Sequence, residues 1–231
     1  MVKSQHIGIW RENMKFVFLA VFLISAVIHL YASYKSDKPL RNKSKPFLLL
    51  SLLGWYICCA ENPQTIVIAA ILTSWLGDVL LIPKGTKWFA IGGVSFAVSH
   101  FCFMMAYRPN INFAAIPLWA IILIAAVYFV AVILVFKGLK PHLPKPLFYP
   151  MLVYLLINGS MNSFALFQLL SVTNAATVIT FIGAVLFFVS DSTLFYTRFK
   201  KDTIFKNHFV VMLTYIIAEF LIVQGLIMLA A

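Results

Sequence analysis

Hydrophobic positions along this chain come in blocks rather than in short alternations. Apolar stretches near 20 residues, the length that crosses a bilayer as a helix, recur at 16–34, 47–60, 65–82, 88–107, 116–136, 147–169, 174–196 and 209–229. The pattern predicts an all-α, polytopic membrane bundle of eight transmembrane helices, forming a single integral membrane domain over residues 1–231. Short polar breaks predict antiparallel neighbours. Nine of the ten prolines fall in connectors or at span ends, and Pro150 falls in the first turn of the sixth span. A first-turn N–H has no helical partner to lose. The first block is too long for a signal-peptide core and reads as a retained span.

Polar residues inside the blocks carry the functional information. Asp78, Asp191 and Glu219 lie within spans, although the chain has only seven Asp and Glu. An Asp at a membrane helix centre costs about 2.5–3.5 kcal/mol, so such residues face a bundle interior and serve a purpose. No Lys or Arg lies in the same apolar runs, which predicts carboxyls without a cation partner. Asp78 precedes Lys84 by six residues and Asp191 precedes Arg198 by seven. At ~1.5 Å per residue both carboxyls sit ~9–10 Å below one basic interface, as paired acid–base chemistry requires.

Other polar residues share helical faces. Ser74 lies one turn before Asp78, and Ser190 adjoins Asp191. Tyr154, Asn158 and Asn162 step by four, as do Tyr215 and Glu219. His100 shares a face with Gly92, Gly93 and Phe96, while Gly183 and Ala184 permit close helix approach on the Asp191 face. The expected site therefore has Asp78 and Asp191 as catalytic carboxyls. Ser74, His100, Tyr154, Asn158, Asn162, Ser190, Tyr215, Glu219 and Lys45 are expected to hold substrate around a shared polar cavity. His29, beside Ser25 on the first span, reads as a structural histidine, and the span over 116–136 as lipid-facing. No nucleophile elbow, zinc-protease motif or phosphate-binding loop appears.

Composition agrees with a lipid environment: 62% of residues are hydrophobic and 11% charged, against about 25% charged in soluble domains. The net charge of +11 does not point to nucleic acid, because no basic face interleaves with stacking aromatics. It sets topology instead. Fourteen Lys and Arg fall on the side of the odd-numbered connectors and four, including Lys3, Arg11, Lys15 and Arg108, on the other. The positive-inside rule then predicts both termini outside and the two aspartates towards the cytoplasm, in a membrane such as the bacterial inner membrane. Cys58, Cys59 and Cys102 show neither disulfide nor metal-ligand spacing. No metal and no cofactor is expected, and the sequence does not define an oligomeric state.

Two similarities suggest an internal repeat. Lys45-Pro46 opens the second span and Lys145-Pro146 the sixth, and a small residue followed by Asp recurs in the third and seventh at Asp78 and Asp191. This predicts a 4+4 parallel duplication with halves 1–110 and 111–231.

The ordered series Gly77-Asp78, Ser99-His100, Gly183-Ala184, Phe187, Ser190-Asp191, Tyr215 and Ala218-Glu219 resembles the YhhN-type lysoplasmalogenases, with Glu219 where that pattern looks like Gln. The resemblance implies an integral membrane hydrolase that splits the vinyl ether of a lysophospholipid into a fatty aldehyde and a glycerophospho-headgroup. It also matches Asp78 and Asp191 to the motif aspartates. The chemistry would divide between a proton-donating carboxyl and a second carboxylate, as in glycosidases, with Lys45 or Lys145 meeting the phosphate. Membrane lipids are the other expected partners. A proton-coupled small-molecule or lipid transporter is the competing reading, since intramembrane acids and repeats suit one. A lipid-binding protein without chemistry is the third.

Overall fold

The computed structural model describes residues 2–200 and 208–230, with side chains from Arg11 onward except Asn13. Lys201 and Lys206 of the basic set, and the side chain of Lys3, lie outside the described residues. Eight α-helices follow one another among them: α1 (Val2–Tyr34), α2 (Lys38–Cys59), α3 (Thr65–Leu80), α4 (Thr86–Tyr107), α5 (Leu118–Leu139), α6 (Phe148–Ser171), α7 (Ala175–Phe199) and α8 (Phe209–Leu229). The described residues contain no strand. Six helices are long and apolar enough to cross a membrane: α1 from Met14, and α4 to α8. Of the other two, α3 has only 16 residues, and the first turns of α2 carry Lys38, Arg41, Lys43 and Lys45.

The start of α2 corrects the expected span. The helix begins nine residues before 47, because Asp37 caps it by accepting from the Leu40 N–H at 3.1 Å and Pro39 occupies its first turn. Pro46 therefore lies inside a continuous helix rather than at its start. Its missing N–H leaves the Asn42 carbonyl without the usual helical donor, and its own carbonyl accepts from the Trp75 indole at 3.1 Å. Likewise α1 starts well before residue 16.

Successive helices pair as α1 with α2, α3 with α4, α5 with α6 and α7 with α8. The closest pair is α7–α8. A Cβ on Gly183 would lie 2.9 Å from the Ala218 carbonyl, so the two backbones touch where a larger residue would separate them. The pairs meet through α4 against α6 and α2 against α8. Of α5, only Val132, Phe136 and Leu139 are buried, and its remaining apolar surface is left for lipid, as expected. Arg11 on α1 donates to the Ile57 carbonyl at 2.7 Å and to that of Ala60, satisfying the carboxyl end of α2. One of the few cations on that side is thereby spent on a helix terminus.

Candidate active site

A cavity of about 300 Å³ opens among α1, α2, α3, α4, α7 and α8 at the end of the bundle that carries the basic connectors. That volume is at the lower end for a small-molecule site. Asp78 and Asp191 both line it, with side chains only 3% and 8% exposed. Both are thus deep residues that still reach the cavity wall.

Each carboxyl has a distinct set of partners. Asp78 Oδ1 lies 3.0 Å from Lys45 Nζ, and its Oδ2 accepts from the Tyr215 hydroxyl at 2.9 Å. Asp191 concentrates its partners on Oδ2, which accepts from the Tyr154 hydroxyl at 2.5 Å and from Asn158 Nδ2 at 2.7 Å. His100 Nε2 lies 3.3 Å from the same oxygen. No described donor reaches Asp191 Oδ1. The expectation of two carboxyls without a cation is therefore corrected at Asp78. Lys45 belongs to the polar overhang of α2, outside the apolar run, and its long side chain reaches down to the carboxylate.

The two arrangements share a spacing. Asn158 precedes Asp191 by 33 residues, and Lys45 precedes Asp78 by the same 33. One turn earlier on each helix stand Tyr154 and Arg41. On the far side, His100 follows Asp78 by 22 residues and Tyr215 follows Asp191 by 24, and each bonds the other aspartate. Each aspartate thus bonds the helix before its own and the helix after the other. By position and partner, Lys45 corresponds to Asn158 rather than to Lys145, which lies in the short turn before α6 and does not line the cavity.

The remaining expected site residues divide. Ser190, Tyr215 and Lys45 line the cavity with the aspartates. His100, Tyr154 and Asn158 stand behind Asp191 and orient it without lining the cavity. Ser74 Oγ pairs with Ser99 Oγ at 2.7 Å, and Asn162 Nδ2 donates to the Asn158 carbonyl at 3.0 Å. The first pair joins α3 to α4 and the second lies within α6, and neither residue lines the cavity. Glu219 is fully buried and has no place on the cavity wall; Ser74 and Tyr215 flank its carboxyl, though neither completes a hydrogen bond of ordinary length and angle.

Several residues were not expected in the site. His29, read as structural, lines the cavity, together with Lys38, Arg41, Lys84, Arg198 and His208. His208 precedes the first turn of α8. Burial, and then the charges of Arg41, Lys45, Arg198 and Lys38, lower its pKa from 6.5 to about 4, so the ring is neutral at physiological pH. For Arg41 a signal was present in the sequence: aligning the halves on the 33-residue spacing sets it opposite Tyr154.

A family model described as the YhhN family matches residues 40–226. No curated protein and no solved structure matches the chain.

Proposed function

The chain belongs to the YhhN family, and from that premise we propose that it is a lysoplasmalogenase, a membrane hydrolase of the vinyl ether bond in one-chain ether phospholipids. The observation that carries the reading is the pair of carboxyls on one cavity wall with unlike partners. Asp78, ion-paired to Lys45, supplies a fixed negative charge. Asp191 has one oxygen loaded with donors and the other free to carry a transferable proton.

The reaction needs this division. Asp191 Oδ1–H protonates the vinyl carbon remote from the ether oxygen, the C=C pair forming the new C–H bond. The resulting oxocarbenium ion lies against the Asp78 carboxylate, which stabilises positive charge as it develops. Water adds to the oxygen-bearing carbon and returns its proton to Asp191, giving a hemiacetal. Breakage of the hemiacetal C–O bond, with transfer of the hydroxyl proton to the glycerol oxygen, releases aldehyde and glycerophospho-headgroup. Water is consumed and Asp191 ends protonated, ready for the next turnover.

The same reading has α2 and α3 crossing the membrane with the other six helices. The basic end and the cavity then face the cytoplasm, with both termini on the opposite side. The common 33-residue spacing supports two parallel halves joined by duplication. Incubating the purified protein with vinyl-ether and acyl lysolipids tests the activity. Free aldehyde is expected from the former and no fatty acid from the latter. No aldehyde from any vinyl-ether lysolipid, with the protein folded, ends this reading.

A further inference from the structure

The carboxyls occupy the inner end of the cavity, and the hydrolysis gives its outer half no task. That half is strongly one-signed: Lys38, Arg41, Lys84 and Arg198 line it, and no acidic residue beyond Asp78 and Asp191 does so among the described residues. The side chains of Lys38, Arg41 and Lys84 meet no described carboxylate or carbonyl. Among the described residues Arg198 donates only to the neutral Gly85 carbonyl at 3.3 Å, and it lies over the Phe89 ring at 4.3 Å, which orients its guanidinium. Like charges held around one space repel unless an anion joins them.

His29 adds an independent observation. It is fully buried and lines the cavity, yet its Nε2 has no described partner. Its Nδ1 lies 2.9 Å from Ser44 Oγ. The Ser44 hydroxyl is also within reach of the carbonyls of Leu40 at 3.0 Å and Arg41 at 3.2 Å. With its proton on either carbonyl, Ser44 Oγ accepts from His29 Nδ1–H, the tautomer that leaves Nε2 an acceptor. A buried acceptor without a donor is costly. Its ligand must offer a hydrogen beside a negative charge.

We propose that the outer half of the cavity binds a glycerophosphoryl group, its phosphate held by Arg41 and the neighbouring cations and its free hydroxyl donating to His29 Nε2. The proposal rests on the reading of the site as a lysophospholipid hydrolase and names how the head is held. A lipid acylated at that hydroxyl has no hydrogen to give, so His29 selects one-chain lipids. Beyond Asp78 and Asp191 the wall offers no described carboxylate to a headgroup amine, so selection at the outer half rests on phosphate and hydroxyl. Lys45, expected to meet the phosphate, is instead committed to Asp78.

The test is calorimetric titration of the purified full-length protein with sn-glycerol 3-phosphate, inorganic phosphate and glycerol. Glycerol 3-phosphate is expected to bind saturably, phosphate about tenfold more weakly and glycerol not at all, the tenfold (about 1.4 kcal/mol) being the share of the hydroxyl's hydrogen bond. Arg41→Gln should weaken both phosphate ligands at least about tenfold. His29→Phe should weaken glycerol 3-phosphate alone, to the level of phosphate. Lys84→Gln, on an exposed connector, should give a smaller loss and serves where Arg41→Gln does not fold. Inorganic phosphate binding as tightly as glycerol 3-phosphate, or affinity unchanged in both cation variants, overturns the proposal. Aldehyde release without saturable glycerol 3-phosphate binding overturns it while sparing the hydrolase. Binding without aldehyde release from any vinyl ether sinks the hydrolase and leaves the anion site standing.

Discussion

The Asp78 and Asp191 neighbourhoods are alike in plan and opposite in charge. Each carboxyl sits on the third helix of its half and takes one partner from the helix 33 residues earlier and another from the last helix of the opposite half. At Asp78 the earlier partner is an ammonium, Lys45, and at Asp191 it is a neutral amide, Asn158. One turn before those stand Arg41 and Tyr154, again a cation against a neutral donor. The shared spacing thus surrounds one carboxyl that is tied into an ion pair and one whose partners are Tyr154, Asn158 and His100. In a symmetric pair neither group would have a reason to be the acid. The difference in partners is the basis on which we propose unlike roles for them, and the cations Lys38 and Arg41 are left to line the cavity.

The largest expected effects come from removing one carboxyl at a time. Asp191→Asn removes the transferable proton and should lower kcat for aldehyde release about 10³-fold. Asp78→Asn removes only the charge that stabilises the cation and should cost about 10²-fold. Equal losses, or a larger loss at Asp78, would reverse the assignment. Lys45→Met then tests the ion pair itself. It leaves a buried carboxylate without its cation, and removing one partner of such a pair destabilises by about 3 kcal/mol or more. Asn158→Leu, which deletes the corresponding neutral donor, should destabilise by about 1–2 kcal/mol. Thermal unfolding in detergent compares the two directly.

How far these sites were legible in the sequence depends on whether the signal was local. The helices α4 and α6 to α8 lie within about three residues of the apolar blocks, because in lipid the backbone bonds must close within each helix and hydropathy marks where. The start of α2 was misplaced for the same reason: its first two turns are polar, and only Asp37 and Pro39 announce them. That overhang carries Lys45, so the missed turns and the missed ion pair are one omission. Tyr154, Asn158 and His100 were legible as polar positions on helical faces, but their common bond to Asp191 depends on how α4, α6 and α7 meet in space. His29 was read as structural because a lone histidine on an apolar face has no sequence mark of an unpaired nitrogen. Ser74 and Asn162 had equally good faces, yet Ser74 pairs with Ser99 of α4 and Asn162 with Asn158 of its own helix.

Phenol deletions sharpen the comparison at smaller scale. Tyr154→Phe removes the shortest bond to Asp191 and leaves only neutral or switchable donors, so aldehyde release should fall about tenfold. Tyr215→Phe leaves the Lys45 ion pair to hold Asp78 and should cost about threefold. Steady-state kinetics on both variants reads the ratio. A larger loss at Tyr215 would mean that the ammonium does not dominate the Asp78 site.

The smallest effect is a pH dependence confined to the cationic side. His208 has a folded-state pKa of about 4 against 6.5 in the unfolded chain, because burial and the surrounding Arg41, Lys45, Arg198 and Lys38 all disfavour a charged ring. As pH falls through 6.5 the unfolded chain binds a proton that the folded protein does not, so stability declines; the decline levels off once pH passes below about 4 and the folded ring also charges. His208→Asn should remove this part of the slope when unfolding temperature is followed across that range, with any dependence due to other groups remaining. Raising ionic strength should flatten it by weakening the exposed cations' share. Saturating glycerol 3-phosphate should flatten it as well, since an anion among the same cations offsets the repulsion that keeps the ring neutral. A slope unchanged in His208→Asn would place the proton uptake elsewhere.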